Sequence, residues 1–294
     1  MIFEMKRLFK IAGIVSASTI VAFILFIYLY ESKASLFEKH SHKDLASILT
    51  PHFQISKPPG DGPFPAVIRF PGGSGSAFLP NGDICLVDVN WADYFVSLGY
   101  ACILVDSYTG RGYSTGSKFG VPERSGDVLA ALTEVSKLPF VKPDQLVIMG
   151  HSHGGWAIMS LLAMDLNKKL PPNLSAYSAK SMVGVKGAIV LYPYCPGLDS
   201  GGNDWNNSIK TLVLMGGKDR LTKACLRTLS ILKEKNKPVT FHVYPSAYHS
   251  YDESPEDFKK ISEWFEDAKP PDLEATADSR ERIKHFLSDV FSQP

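Results

Sequence analysis

Residues 146–159 read LVIMGHSHGGWAIM and contain the turn on which the fold depends. Leu146–Met149 is a short apolar run typical of a buried strand, and the residues from Gly155 onward have the apolar spacing of a helix. Between them, Gly150-His151-Ser152-His153-Gly154 fits the pattern G-x-S-x-G, which holds a serine on a sharp strand-to-helix turn. Glycines are needed there because a Cβ atom would collide with neighbouring elements. The stretch predicts that Ser152 projects from the carboxyl end of a strand; the alternative is a plain glycine-rich turn.

A serine hydroxyl becomes a good nucleophile only when a base removes its proton. Asp219 follows the apolar run Thr211–Met215, and His249 follows the run Val239–Tyr244. The carboxyl ends of parallel strands share one edge of a sheet, and the chain order serine, acid, histidine is the one this type of turn uses. We therefore expect Ser152, Asp219 and His249 to be the catalytic residues. His249 would take and return the serine proton, and Asp219 would hold the imidazole tautomer.

Other residues compete for the acid and base roles. Asp252 and Asp204 are alternative acids, and Asp219 could instead cap the helix that begins near Leu221. Chain position favours Asp219. Among the histidines, His242 lies within a strand pattern and is better explained as a packed side chain.

An acyl-transfer site also needs two N–H groups that bind the oxyanion. One should come from His153, the residue after the serine, and the other from the glycine-rich loop at 70–76. Pro71 has no N–H, so Gly73 is the expected second donor, with Gly72 as the alternative. Phosphate binding by this loop is not favoured, because neither the G-x-x-x-x-G-K pattern nor the full dinucleotide pattern is present.

Short apolar runs alternate with helical patterns along the chain. Most runs are continuous, as in strands buried on both faces of a parallel sheet. The sequence therefore predicts an α/β fold with one doubly wound, mostly parallel sheet and helices on both faces. A closed eight-stranded barrel would need about two more strand–helix units. The remaining expected strands are Ala66–Phe70, Ala101–Val105 and Gly187–Leu191, and the expected helices are Trp91–Leu98, Pro122–Leu138, Gly154–Leu166, Leu221–Glu234 and Ala275–Phe291.

The overall composition excludes two classes of protein. Hydrophobic residues make up 45% of the 294 residues and charged residues 21%, which is typical of a packed globular chain and excludes a disordered one. The 31 basic and 30 acidic residues give a net charge of +1, so no basic surplus exists to bind nucleic acid.

The N-terminus has the pattern of a membrane segment. Residues 11–30 carry no charged residue, and about 20 helical residues span the hydrocarbon core of a bilayer. The basic segment 1–10 precedes them, so the positive-inside rule predicts a cytoplasmic N-terminus. The α/β catalytic domain (44–294) would then lie outside the cytoplasm, after a stalk at 31–43. We expect an uncleaved anchor. The alternative is a signal peptide cleaved at Ser32-Lys33-Ala34, which would make the protein secreted.

The sequence resembles the dienelactone hydrolase family of α/β-hydrolases from about Phe53 onward. The resemblance rests on the serine turn together with Asp106-Ser107-Tyr108, Arg111-Gly112, Leu191-Tyr192-Pro193 and Tyr244-Pro245 with Tyr248-His249. It implies a metal-free hydrolase of small esters or lactones. The best-known members use a cysteine nucleophile, so Ser152 indicates a serine branch with general carboxylesterase activity.

The resemblance also implies substrate-binding residues. Family members bind acidic substrates through arginines near the nucleophile, which points to Arg111, with Tyr108 of the same motif beside it. A bidentate pair with a substrate carboxylate is one use of Arg111. A structural salt bridge to Glu123 or Asp127 is the other, and the sequence does not decide between them.

Two of the four cysteines are expected to form a disulfide. Cys195 follows the strand that ends at Leu191, and Cys225 lies one turn into the helix after the strand that ends at Met215. These strands should be neighbours, which would bring the cysteines within bonding distance in an oxidising compartment. Cys102 is expected to be a buried apolar residue, and Cys85 has no assigned role.

Three rival functions remain at the level of sequence. A metal-dependent hydrolase could use His151 and His153, but a zinc site needs at least a third ligand, which no suitable spacing supplies. A non-catalytic binding protein could use the same fold. A peptidase or acyltransferase would use the same three catalytic residues. The favoured hypothesis is an ester hydrolase without metal or other cofactor.

Overall fold

The computed structural model describes residues 39–73, 84–112, 124–176, 182–195, 197–198, 201–264 and 269–292. The expected basic segment 1–10, the expected anchor 11–30, the cleavage motif Ser32-Lys33-Ala34 and Glu123 lie outside these residues. The compact unit that contains the sheet begins at His40, four residues before the expected boundary at residue 44. No helix within the described ranges is both long enough and apolar enough to cross a membrane.

One seven-stranded sheet forms the centre of this unit. Its strand order is β1-β3-β2-β4-β5-β6-β7; β1 pairs antiparallel with β3, and the other neighbours pair in parallel. The strands are β1 (Phe53–Ser56), β2 (Phe64–Phe70), β3 (Ala101–Val105), β4 (Val141–His151), β5 (Val185–Leu191), β6 (Lys210–Gly216) and β7 (Val239–Tyr244). All six expected strands are present. β1 was not expected, because four residues at an antiparallel edge give almost no periodic signal.

Helices cover both faces of the sheet, as the sequence predicts. One core packs four helices against it through residues such as Leu45, Val128, Ile158 and Leu229, and the opposite core contains Trp91, Phe95, Ile283 and Leu287 from two others. The helices are α1 (His42–Leu49), α2 (Leu86–Ser97), α3 (Ser125–Val135), α4 (Ser152–Leu162), α5 (Thr222–Glu234), α6 (Pro255–Trp264) and α7 (Leu273–Phe291).

Helix α1 overlaps the stalk expected at 31–43. Ser41 caps it, because the Ser41 hydroxyl accepts from the Asp44 N–H while the Asp44 carboxylate accepts from the Ser41 N–H. This reciprocal pair is a capping box. Leu45 and Leu49 on the same helix are fully buried, so the folded unit starts earlier than the polar composition of the segment indicates.

The turn from β4 to α4 lies close to the backbone at the end of β2 and to a side chain of β5. β4 ends at His151 and α4 begins at Ser152, with no residue between them. Ser152 has a φ of +48°, a left-handed conformation that a non-glycine residue adopts only under constraint. At Gly154 a Cβ atom would overlap the carbonyl oxygen of Phe70, and at Gly155 it would lie 2.8 Å from the Val190 side chain. The helix can therefore approach β2 and β5 only because these two residues are glycines.

Cys195 and Cys225 form a disulfide, with their Cα atoms 5.0 Å apart. Cys195 lies just beyond the end of β5, and Cys225 lies on α5, the helix that follows β6. Because β5 and β6 are neighbours in the sheet, the two cysteines lie close together, as expected. Cys102 is buried inside β3, and Cys85 is partly buried.

We predict that Gly154→Ala destabilises the fold by about 2 kcal/mol or more, because the added methyl group meets rigid backbone rather than a movable side chain. Urea unfolding followed by circular dichroism measures this. Gly197→Ala is the matched control, since a Cβ there has no atom within 4 Å. Equal stability of the two variants would contradict the close approach described above.

Candidate active site

Three side chains meet at the carboxyl edge of the sheet. Ser152 follows β4, Asp219 follows β6 and His249 follows β7. His249 Nε2 lies 2.9 Å from Ser152 Oγ, and His249 Nδ1 lies 2.7 Å from Asp219 Oδ2. The imidazole therefore links the hydroxyl to the carboxylate through its two nitrogens. With the proton on Nδ1, Nε2 is left as the acceptor for the serine hydroxyl.

Solvent exposure differs along this chain of three groups. The Asp219 side chain is 1% exposed, whereas the His249 side chain is 36% exposed. A buried carboxylate holds one edge of the ring, and the other edge opens toward the serine and the solvent. This is the arrangement that orients an imidazole base and stabilises its protonated form.

Asp219 has two functions in the local structure. Its Oδ1 accepts a hydrogen bond from the Leu221 N–H at 2.9 Å, just before α5, while Oδ2 faces His249. This bond forms an Asx turn just before the helix; it is not the N-cap considered as an alternative, because the N-cap residue is Leu221 and has no side-chain capping bond. The same turn that starts α5 fixes the direction of the carboxylate.

The two alternative acids have other partners. Asp252 accepts hydrogen bonds from Tyr192 Oη at 2.6 Å and Trp91 Nε1 at 2.7 Å. Asp204 lies 3.6 Å from Lys168. Among the described residues, Asp219 is the carboxylate that hydrogen bonds to His249.

The glycine-rich loop lies over the start of α4. A Cβ atom on Gly72 would lie 3.6 Å from Ser152 Cβ, and one on Gly73 would lie 3.1 Å from His153 Cβ. Both glycines expected to donate to an oxyanion are therefore adjacent to the serine turn. This close packing requires small residues at 72 and 73.

The residues expected to bind substrate have other contacts. Arg111 Nη1 and Nη2 donate to the two carboxylate oxygens of Asp127 at 3.0 and 2.8 Å, and Nη1 also donates to the Ser107 carbonyl. This ion pair is one of the two alternatives that the sequence left open. The ring of Tyr108 is fully buried, and its hydroxyl donates to the Gly72 carbonyl at 3.2 Å. The surroundings of Tyr108 are therefore those of a residue packed in the interior, not those of a residue on a ligand-binding surface.

His151 and His153, which flank the serine, contact different groups. His151 is buried and lies 3.4 Å from both Asp252 and Arg69. His153 Nδ1 accepts a hydrogen bond from Arg124 Nε at 3.1 Å. In the part of the chain that the structure describes, no cluster of three or more potential metal ligands is found.

A buried polar network lies behind the serine turn, and sequence reasoning missed it. Arg69 on β2 pairs with Asp88 on α2 at 2.8 Å, and both side chains are nearly inaccessible to solvent. His151 connects this pair to Asp252. The signal in the sequence was the arginine inside the apolar run Ala66–Phe70, since an arginine in a buried strand needs a paired charge.

Tyr192 connects the network to His249. Its ring packs edge-on against His249, with the ring centroids 4.8 Å apart, and its hydroxyl donates to Asp252. Tyr192 has a φ of +36°, so the backbone after β5 is constrained at the residue that supports His249. The imidazole is thus held by Asp219 at one nitrogen and by Tyr192 from the side.

Two adjacent acids in this region have pKa values shifted in opposite directions. Burial alone would raise the pKa of Asp252, but the hydrogen bonds and charge of His151, with the bonds from Tyr192 and Trp91, lower it to about 2. Burial raises the pKa of Glu253 to about 8, and the nearby charges of Asp252, Asp257 and Asp88 add to this shift. At neutral pH, Asp252 is therefore ionised and Glu253 is mostly protonated.

Comparison with known proteins identifies a family. The model of the Dienelactone hydrolase family matches residues 87–291, which include Ser152, Asp219 and His249. No curated protein sequence matches the chain.

Solved structures share the fold at low sequence identity. An esterase from the Planctomycetes species Thermogutta terrifontis with butyrate bound is 15% identical, with a TM-score of 0.56 over 81% of this chain and 88% of that one. A dienelactone hydrolase-like promiscuous phosphotriesterase from metagenomic libraries is 14% identical, with a TM-score of 0.57 over 81% of this chain and 92% of that one. At these identities the likeness establishes the fold alone.

The raised pKa of Glu253 predicts a stability that falls as pH rises. Below about pH 4.5 both the folded and unfolded chains bind the proton, and between about 4.5 and 8 only the folded chain does. The contribution of Glu253 to the free energy of unfolding therefore declines across this range. Glu253→Gln removes the titrating group. Between pH 5 and 8, the free energy of unfolding of this variant should therefore fall less than that of the wild-type protein, by at least about 1 kcal/mol. Urea unfolding at several pH values measures the difference.

Glu256→Gln, on the exposed start of α6, is the matched control for charge removal near the same acids. It should keep the pH dependence of the wild-type protein. Parallel curves for wild type and Glu253→Gln would show that Glu253 is ionised in the folded protein.

Proposed function

This chain belongs to the dienelactone hydrolase family, and from that premise we propose that it is a serine hydrolase that cleaves small carboxylic esters or lactones. The observation that carries the proposal is the hydrogen-bonded chain from Ser152 through His249 to Asp219. In this proposal Ser152 is the nucleophile, His249 the general base and acid, and Asp219 the residue that orients and stabilises the imidazolium.

This geometry supports a reaction in two steps through an acyl-enzyme. Ser152 Oγ attacks the ester carbonyl carbon while its proton passes to His249 Nε2, and the carbonyl π electrons move onto oxygen. The tetrahedral intermediate then expels the alcohol oxygen, which receives the proton from His249. Water attacks the acyl-enzyme in the same way, and the second intermediate releases the acid and regenerates the serine.

The oxyanion of both intermediates needs donors on the side of the carbonyl away from His249. We assign this role to the N–H groups of His153 and Gly73, with Gly72 as the alternative to Gly73. The N-terminus of α4 at Ser152 adds the positive end of a helix dipole at the same point.

The charges near the site favour a neutral substrate. Arg111, the residue that the family resemblance points to for binding an acidic substrate, uses both terminal nitrogens on Asp127. A substrate carboxylate would have to displace that buried carboxylate. The butyrate bound to the Thermogutta terrifontis esterase is a short acyl group, and it supports a short acyl chain as the first substrate class to test.

We predict a single covalent adduct on Ser152 when residues 35–294 are treated with a fluorophosphonate probe. Ser152→Ala should abolish the adduct, and His249→Ala should remove it on the same timescale because the serine loses its base. Both variants should lower kcat for p-nitrophenyl butyrate about 10⁴-fold or more. Mass spectrometry of the labelled peptide and initial rates measure these effects.

His242→Ala is the matched control, because His242 lies within β7 on the same strand–loop segment as His249. It should label and hydrolyse like the wild-type protein, and a chelator should have no effect on either. A folded wild-type protein that forms no adduct would overturn the proposal and leave a non-catalytic binding function.

We also propose that residues 11–30 anchor the protein in a membrane with the catalytic domain outside the cytoplasm, which in a bacterium is the periplasm. The charge-free segment after a basic N-terminus supports this orientation. The Cys195–Cys225 disulfide supports it independently, because such bonds persist in oxidising compartments.

The proposed orientation predicts protease sensitivity from outside. In spheroplasts of a bacterium that expresses the full chain, added protease should degrade the catalytic domain while a cytoplasmic marker stays intact. The domain should sediment with membranes, and its release into the medium would instead indicate cleavage near Ser32-Lys33-Ala34. Protection of the domain until the membrane is lysed would refute the orientation.

A further inference from the structure

The glycine-rich loop over Ser152 is held by two side chains from outside the catalytic chain. Arg124 Nη2 donates to the Pro71 carbonyl at 2.6 Å, and Tyr108 Oη donates to the Gly72 carbonyl at 3.2 Å. Residues 71–73 belong to no strand or helix. The carbonyls of Pro71 and Gly72, which belong to consecutive peptide groups in an irregular segment, therefore each accept a hydrogen bond from a side chain.

Fixing a carbonyl also fixes the N–H group of the next residue. Both peptide bonds are trans, so the C=O and N–H of each unit point in opposite directions in one plane. The bond from Arg124 sets the plane that carries the Gly72 N–H, and the bond from Tyr108 sets the plane that carries the Gly73 N–H. Without these bonds, glycine leaves the peptide planes free to rotate.

Arg124 also holds the opposite side of the same site. Its Nε donates to His153 Nδ1 at 3.1 Å, so that nitrogen carries no proton. The guanidinium stacks on the Tyr108 ring with its central carbon 4.9 Å from the ring centroid. One side chain thus joins the loop at Pro71 to the residue after the nucleophile.

The environment of Arg124 is unusual for a structural arginine. The side chain is fully buried, yet it forms no ion pair with any carboxylate of the described residues, and its buried Nη1 has no hydrogen-bond partner among them. A desolvated cation without a paired anion is costly for the folded state. A negative charge that develops nearby during a reaction would reduce that cost.

We propose that Arg124 and Tyr108 are positioning residues that hold the oxyanion-binding N–H groups in place, with the Arg124 charge lying behind them. This inference rests on the proposed ester hydrolysis. It assigns Tyr108 a role different from the substrate contact that the family resemblance implies, and it assigns a role to Arg124, which sequence reasoning did not single out.

Tyr108→Phe is the sharper test, because it removes one hydrogen bond and keeps the buried ring. We expect kcat for p-nitrophenyl butyrate to fall about 10- to 100-fold, somewhat less than the loss of an oxyanion donor itself, with KM within about 2-fold. Arg124→Lys keeps the charge but loses the paired donors, and we expect a larger fall in kcat.

Inhibition by an alkyl boronic acid is a second measurement. Its inhibition constant should not change if Arg124 and Tyr108 have only a structural role. Ser152 Oγ bonds to boron, its proton passes to His249, and the four-coordinate boron carries the negative charge of the intermediate. If the two residues act on the oxyanion, the inhibition constant should rise in each variant by about the factor by which kcat/KM falls.

Tyr94→Phe is the matched control. Its hydroxyl also donates to a backbone carbonyl, that of Arg280 at 2.6 Å, on the α2–α7 side of the sheet. It should leave kcat and the boronic acid inhibition unchanged.

The outcomes separate this inference from the proposed function. An inactive wild-type protein that forms no Ser152 adduct would refute both. An active wild-type protein with Tyr108→Phe kinetics equal to those of Tyr94→Phe would refute the positioning role alone. A Tyr108→Phe variant that raises KM while keeping kcat would instead identify Tyr108 as a substrate-binding residue and would also overturn the inference.

Discussion

The close packing of the β4–α4 turn against β2 and β5 is the constraint on which the site depends. Gly154 lies against the end of β2, and Gly155 lies against β5. Ser152 is held at a positive φ between them. This packing fixes the serine at the centre of the sheet edge, so that the loop after β2 and the side chains after β6 and β7 meet it. Any side chain at these glycines would separate the parts of the site.

Two polar assemblies support the proposed catalytic residues from opposite sides. Arg69, Asp88, His151 and Asp252 lie behind the serine, and through Tyr192 they reach the ring of His249. Arg124 and Tyr108 hold the glycine-rich loop on the other side. Both assemblies are buried, so their hydrogen bonds compete little with water and maintain fixed geometry. Ser152, His249 and Asp219 are thus only a small part of the polar structure around the site.

The fold could be predicted from the sequence because local apolar patterns indicate its strands and helices. Continuous apolar runs marked the buried strands, and the order of strand ends placed Ser152, Asp219 and His249 at one edge, where the structure brings them into contact. The side-chain contacts that support the site could not be predicted from the sequence. Arg124, Pro71 and His153 are far apart in the chain, and nothing in their spacing indicates that they touch. The partner of Arg111 stayed open for the same reason, since Asp127 becomes its neighbour only through the packing of α3.

The separation of Ser152 from His249 along the chain also has a consequence for biosynthesis. His249 lies 97 residues after the serine, on the loop that follows the last strand. The proposed nucleophile is therefore synthesised long before the proposed base. In the proposed mechanism, Ser152 becomes activated only when β7, the edge strand of the described sheet, has docked, so a chain that ends before β7 has no activated serine.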